Sequence, residues 1–352
     1  MKLPLHSKAA ILTEQKKPLI VGDIDLPKTL AYGQVFVKVH YSGICGSQIG
    51  EIDGVKGEDK YLPHLLGHEG YGKVVNTAAD VTKVSADDWV ILGWIKGEGL
   101  NADGAKYKLG DKIINSGGVT TFSTYTIVSE NRIVPLPKGL PRDISVLFGC
   151  ALPTGAGIVL NQIKPKKNSS IAFIGLGGIG LSGLMATKAF ECKNIIAVDV
   201  SDEKLKLAKE FGATHIINAS TSDVLKEINN ITDGMGVDYS VDAGGKVETI
   251  ELAFEAIKKN GGLSIFASHP EVGKKISIDP FDLISGKNIK GSWGGASRPD
   301  KDIPLLAGLY NKGMMPLEKL VTKSYKLDEI NIALDDLKNS KVFRPLIVMD
   351  DF

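Results

Sequence analysis

Hydrophobic and polar positions divide the chain into two textures. Up to about residue 150, short apolar runs (AAILT, QVFVKVHYSG, YGKVVN, DDWVILGW, FSTYTIVSE) are broken at close intervals by Gly, Pro and Asn, the pattern of an irregular, mostly β domain. From about 165 the rhythm becomes strand, helix, strand, helix. IAFIG, NIIAVDV, THIIN, VDYSVD and LSIFAS read as strands. Between them, GIGLSGLMATKAF places Leu181, Leu184, Met185 and Ala189 on one helical face. SDEKLKLAKEFGA reads as a helix with Ser201 as N-cap, acids in its first turn and Gly212 at its end. VETIELAFEAIKKNGG is a further helix, another is expected over 300–312, and KVFRPLIVM closes the chain. Alternation of this kind predicts a parallel sheet covered by helices.

Length and composition narrow the picture. At 352 residues the chain has room for two domains, and 43% hydrophobic with 24% charged residues is ordinary for a globular protein. A net charge of +1 excludes an electrostatic nucleic-acid binder as the first reading. No apolar run approaches the roughly 20 residues of a membrane span, and the N-terminal stretch lacks a signal-peptide pattern. With only Cys45, Cys150 and Cys192, the chain is no disulfide scaffold; a reducing, cytoplasmic setting is expected, with thiols available for metal or catalysis. Glycine, at 40 residues, is abundant, which implies tight turns and close backbone approaches.

Gly175-Leu176-Gly177-Gly178-Ile179-Gly180 is a GxGxxG. Alone it says little in so glycine-rich a chain, but a strand precedes it and a helix opens within it. Gly175 suits the tight turn, Gly177 lets a pyrophosphate approach the backbone, and Gly180 lets helix and strand pack closely. The helix N-terminus then offers free N–H groups to the anion. Asp199, 19 residues beyond Gly180 at the end of the next strand, can hydrogen-bond the adenosine ribose and repel a 2′-phosphate, which favours NAD over NADP. Lys204, one helical turn on, is within reach of the same ribose.

Three fragments suggest a metal: SGICGSQIG with Cys45, LLGHEGYG with His68 and Glu69, and LFGCALPTG with Cys150. Two thiolates and one imidazole suit Zn²⁺ with a fourth position open. Their spacing alone leaves open a zinc site or two buried cysteines and a satisfied histidine.

In the order of these motifs the chain resembles the medium-chain zinc-dependent alcohol dehydrogenases (medium-chain dehydrogenase/reductase family) along essentially its whole length. TTFSTYTIV, LFGCALPTG and GLGGIGLS resemble the classical alcohol and glutathione-dependent formaldehyde dehydrogenases, and KGSWGGASRPDKDIP their domain-return segment. The resemblance implies an α/β fold: a GroES-like β-rich catalytic domain over 1–152 and 289–352, and an inserted Rossmann domain with a doubly wound parallel sheet over 153–288, with the active site in the cleft between them. It implies zinc on Cys45, His68 and Cys150, and hydride transfer between an alcohol and NAD. It also implies Ser47 as the hydroxyl that takes the substrate proton, Thr154 against the nicotinamide, Glu69 behind the zinc and Arg344 near the pyrophosphate. The expected assembly is a homodimer or homotetramer, paired through the Rossmann edge strand around LSIFASHP or KGSWGG. Neither nucleic acid nor membrane is an expected partner.

Four departures from the family pattern stand out. No cysteine lies between Trp89 and Phe122, where many relatives bind a structural zinc, so one zinc per chain is expected, with residues 93–118 a loop held by its own turns or by a neighbouring subunit. Gln48 stands where an acid usually polarises the histidine ligand. Gly50 replaces a relay histidine, leaving Glu51 as a neighbouring candidate. Gly46 replaces a basic residue facing the phosphates, which shifts phosphate binding toward the helix N-terminus and Arg344. His6, His40, His64, His215 and His269 are read as structural or exposed, with a nicotinamide or subunit contact open for His269, and Cys192 as a buried free thiol. Trp94 and Trp293 are read equally as cleft or core. The polar run EIDGVKGEDKYLPH favours a polyol or sugar derivative as substrate. Alternatives are a biosynthetic aldehyde or ketone reductase, an NAD-retaining lyase or epimerase, and a non-catalytic nucleotide binder.

Overall fold

The computed structural model describes residues 4–349. The chain forms two compact units. One takes the chain up to Cys150 together with Arg298–Asn311 and the segment from Leu317 onward; the other takes Ala151–Ser297 and Lys312–Pro316.

The first unit is built on two sheets of mostly antiparallel strands. Its central strand, Gln34–Gly43, is buried on both faces. Val35, Val37 and Val39 enter one hydrophobic core, while Phe36 enters another, as the two-residue period of a strand requires. Each such fully buried apolar side chain contributes about 1.5–3 kcal/mol. Glu69–Thr77 pairs with one edge of this strand, and on the other edge Tyr125–Ser129 and the C-terminal strand Leu346–Val348 pair with successive parts of it. The last strand of the protein thus lies beside the residues that lead into Cys45.

Residues 93–118 are more than a loop held by its own turns. Tyr107–Leu109 and Lys112–Ile114 form a hairpin that extends the other sheet through the strand Ile20–Asp25. Tyr107 is fully buried, and its hydroxyl accepts the Ile127 N–H at 2.9 Å. Glu130, also fully buried, accepts backbone N–H groups of Thr82, Lys83 and Leu100 at 2.7–2.8 Å and ties the start of this segment down.

The second unit holds a six-stranded sheet, parallel throughout, in the order 3-2-1-4-5-6. This is the dinucleotide-binding order, and the end of its first strand is the switch point where ligands bind. Asn288–Gly291 is its sixth, edge strand, so this unit runs on to Ser297 rather than ending at residue 288. Ser201 caps the helix Asp202–Glu210 through its side chain, as read from the sequence. The helix after the glycines differs from expectation. Gly178–Ala186 is buried on nearly every side and tightens into a 3₁₀ turn at Thr187–Ala189, which leaves Ala189 exposed. Among the described residues no single helix is long and apolar enough to cross a membrane.

Candidate active site

The structure brings Cys45, His68 and Cys150 together from three separate segments. Cys45 follows the central strand and precedes the short helix Gly46–Ile52. His68 stands just before the strand Glu69–Thr77, and Cys150 follows the 3₁₀ turn Val146–Gly149. The two sulfurs lie 3.8 Å apart, and His68 Nε2 lies 3.1 Å from Cys150 Sγ. All three donor atoms fall within 4.8 Å of one another, and neither cysteine is in a disulfide.

This set fits a tetrahedral zinc. Two thiolates at zinc–sulfur bonds of ~2.3 Å stand about 3.8 Å apart, the separation seen here. The same ion would hold imidazole nitrogen and sulfur about 3.5 Å apart, a few tenths of an ångström more than the 3.1 Å seen here. A hydrogen bond from Cys150 and the nearby His68 outweigh burial and hold Cys45 well below the usual thiol range; the Cys45 sulfur and burial push Cys150 well above it.

Behind the donors lies a buried charge pair. Glu69 is fully buried, with one carboxylate oxygen on the Arg344 guanidinium and the other without a hydrogen-bond partner. Gly43 and Gly149 leave the room it needs: a Cβ on either would lie within 2.9 Å of Glu69 atoms. Burial raises the Glu69 pKa, opposed by Arg344; burial would lower that of Arg344, but Glu69 and the two cysteines raise it. Arg344, expected beside the cofactor phosphates, is therefore found buried as the counter-charge to Glu69. Gln48 is buried too. Its Oε1 accepts the Cys45 N–H at 2.7 Å, and its Nε2 lies 2.7 Å from His68 Nδ1. Ser47 occupies the first turn of the same helix, half-buried.

In the second unit the glycine turn has the expected division of labour. Gly175 has φ +89°, and a Cβ there would meet Gly244 N at 2.7 Å. Gly177 has open space above it, as a phosphate requires. Gly180 packs against the Gly175 carbonyl, and Gly178 and Ile179 begin the helix. Asp199 joins the strand end to this turn: Oδ2 accepts the Leu176 N–H at 2.7 Å and Oδ1 the Ser201 N–H at 3.0 Å. Lys204 lies in the first turn of the next helix, where its N–H meets the Ser201 hydroxyl. Thr154 is buried in the helix Ala151–Gly157. Asp242 escaped the sequence reading. It is fully buried, accepts the Gly244 and Gly245 N–H groups and shapes the loop beside Gly175, and burial raises its pKa. The run VDAGG at a strand end was its signal.

A cavity of about 600 Å³ in the first unit is lined by Gln48 and His68, and also by Glu51, Asp59, His64 and Lys106. His64, read from sequence as structural, is buried in the two-residue strand His64–Leu65 beside two carboxylates. The other histidines keep their plain roles: His40 meets the Trp89 ring edge-on, His6 pairs with Asp25, and His215 and His269 make local hydrogen bonds. Cys192 is half-buried rather than buried, and Trp293 is 82% exposed, which excludes a core role.

Comparison with known proteins bears on this site. The family model "Alcohol dehydrogenase GroES-like domain" matches residues 31–138, and "Zinc-binding dehydrogenase" matches residues 178–309. S-(hydroxymethyl)glutathione dehydrogenase of Paracoccus denitrificans is 31% identical, over 98% of this chain and 100% of the relative. The chain belongs to the medium-chain zinc-dependent alcohol dehydrogenase family. As a member of that family it is an NAD-dependent oxidoreductase that transfers hydride between an alcohol and the nicotinamide. Among solved structures, benzyl alcohol dehydrogenase from Acinetobacter calcoaceticus matches with a TM-score of 0.88 and 30% identity, covering 98% of this chain and 99% of that one. 2R,3R-butanediol dehydrogenase from Bacillus subtilis matches at 0.79 and 28%, over 98% and 100%. The comparisons favour neither the biosynthetic reductase nor the lyase or epimerase.

Proposed function

We propose that this alcohol dehydrogenase acts on a polyhydroxylated substrate, a polyol or sugar derivative. The observation that carries the reading is the cavity beside His68. Its wall carries Glu51, Asp59, His64, Lys106 and Asn115 beside Leu65, Leu66 and Val119, and the polar groups exchange hydrogen bonds with hydroxyls that an aliphatic tail lacks. The structural relative named for butanediol is in keeping with this.

Cys45, His68 and Cys150 would hold one Zn²⁺, which when bound supplies Lewis-acid polarisation of the substrate oxygen. The remaining work falls to the chain. Gln48 fixes the ring plane of His68, and the Arg344–Glu69 pair places compensated charge behind the donors. Ser47 accepts the proton from the substrate hydroxyl. With Gly50 in place of a relay histidine, Ser47 would hold that proton on its hydroxyl and pass one on toward the cofactor ribose and water. Gly175, Gly177, Gly178, Ile179 and Gly180 present the backbone to the pyrophosphate, Asp199 and Lys204 engage the adenosine ribose, and Thr154 packs on the nicotinamide. In our reading the protein is a homodimer joined along the exposed edge strand Asn288–Gly291, beside which Phe281, Ile284 and Trp293 stand exposed.

The test is steady-state oxidation of xylitol, sorbitol, glycerol and 2,3-butanediol against 1-butanol and 1-hexanol, with NAD. The reading requires at least one polyol to exceed both linear alcohols tenfold in kcat/KM. A preference for unbranched alcohols over every polyol would overturn it.

A further inference from the structure

Among the described residues, a second cluster of metal-ligating side chains lies apart from the thiols: Glu51, Asp59 and His64, with donor atoms within 4.8 Å of one another. We propose that these three residues form a second divalent-cation site, of hard oxygen and nitrogen donors, opening on the cavity beside His68.

The geometry has three parts. His64 is 9% exposed in its side chain, and its Nδ1 lies 2.9 Å from the Leu65 carbonyl oxygen, to which it donates. That hydrogen bond fixes the ring and turns Nε2 toward the acids, the way a backbone carbonyl commonly orients a ligating histidine. Nε2 then stands 2.7 Å from Asp59 Oδ2 and 3.9 Å from Glu51 Oε1. Adjacent ligands of an octahedral ion, bound at ~2.1 Å, stand about 3 Å apart; the two observed separations bracket that value.

The support is firm where it needs to be. The Leu65 N–H bonds the Asn115 carbonyl, and Leu65 pairs with Ile11 in the sheet. Asp59 Oδ1 accepts the Tyr61 N–H, and the Asp59 N–H reaches Gln15 Oε1. Glu51 lies in the last turn of its helix with its side chain one-third exposed, Oε2 3.4 Å from Lys56 and Oε1 turned to His64 at 3.9 Å.

Charge argues the same way. Two carboxylates converge on one imidazole. Lys106, the other cation on the cavity wall, is turned to Asn115 Oδ1. A dication balances the acids, and water from the cavity completes its coordination. Carboxylate-rich sites suit manganese and magnesium, whereas the thiolate set selects zinc. The two sites therefore differ in which ion they take.

Manganese is the probe. The zinc-loaded enzyme is titrated with Mn²⁺, and free Mn²⁺ is read by its electron paramagnetic resonance signal. We expect one Mn²⁺ per chain, with zinc content unchanged. Glu51→Gln and His64→Gln should each weaken Mn²⁺ at least tenfold. In the same variants, cobalt placed at Cys45 and Cys150 should keep its near-ultraviolet thiolate charge-transfer band at full strength. Because Glu51 is lightly held, its replacement leaves the fold intact, which circular dichroism verifies. Absence of Mn²⁺ binding up to millimolar concentration overturns the proposal, as does unchanged affinity in Glu51→Gln. The polyol reading shares Glu51, Asp59 and His64 with this site but is decided separately, by the substrate panel run with the cavity Mn²⁺-free and Mn²⁺-loaded alike.

Discussion

Replacing Arg344 by Met isolates the weight of the charge pair behind the thiols. Arg344 is 6% exposed and Glu69 fully buried, so the substitution keeps an unbranched apolar stem, removes the guanidinium and leaves a carboxylate without its counter-charge. Breaking a buried pair from one side costs about 3–5 kcal/mol, because the remaining ion has lost both water and partner. The unit that contains them has roughly 200 residues, for which each kcal/mol moves the melting temperature by about 2–4 °C. Arg344→Met should therefore lower that unit's transition by roughly 10 °C. Differential scanning calorimetry on metal-free protein is the assay, since removing zinc separates folding from loading. The double replacement Arg344→Met with Glu69→Gln should recover most of the loss, and the cycle yields the coupling between the two. A shift under 2 °C in the metal-free single variant, or a double variant no better than the single, would refute the reasoning.

Other outcomes follow from the same structure. Asp199→Ala removes the acceptor of the Leu176 N–H and the proposed ribose ligand; a loss of about 1.5–3 kcal/mol, roughly 10–100-fold in kcat/KM for NAD, should be read from initial rates, with the discrimination against NADP reduced. Cys150→Ser should lose the zinc that elemental analysis finds in the parent after dialysis, while NAD binding followed by fluorescence persists. For Asp238, burial alone would raise the pKa, but Lys258 and the Ser170 N–H and hydroxyl together hold it below the usual carboxylate range. Its stabilisation is present above the unfolded-state pKa of ~3.9 and fades as pH falls through the lowered folded value. Urea midpoints of Asp238→Asn should accordingly fall below the parent at pH 7 and converge with it toward pH 3.

The dinucleotide half was legible because its signals are local. A strand, three spaced glycines, a helix and a strand-end acid all fall between Ser170 and Asp199, and Ser201 announces the next helix by its own side chain. The thiol and imidazole donors come from positions 45, 68 and 150, and no spacing rule joins them; family likeness did. Arg344 reads from sequence as a phosphate ligand because its actual partner, Glu69, is 275 residues away. His64 looked unremarkable for the same reason, since Glu51 and Asp59 meet it through a loop rather than through periodicity. The hairpin Tyr107–Ile114 hid behind lysines and glycines, its one strong clue being Tyr107.

The closure of the first unit by residues near the C-terminus sets an order on synthesis. The second unit, apart from Lys312–Pro316, is contiguous from Ala151 to Ser297 and has nearly all its sequence before translation ends. The thiols and His68 emerge earlier still, whereas Arg344 and the strand Leu346–Val348 emerge after the whole of the second unit. Until they do, Glu69 has no counter-charge and the strand leading to Cys45 lacks its C-terminal neighbour. Nascent chains thus carry both thiols and the imidazole through about 200 further residues without the frame that holds them, and the metal centre matures only after Arg344 and its strand have emerged.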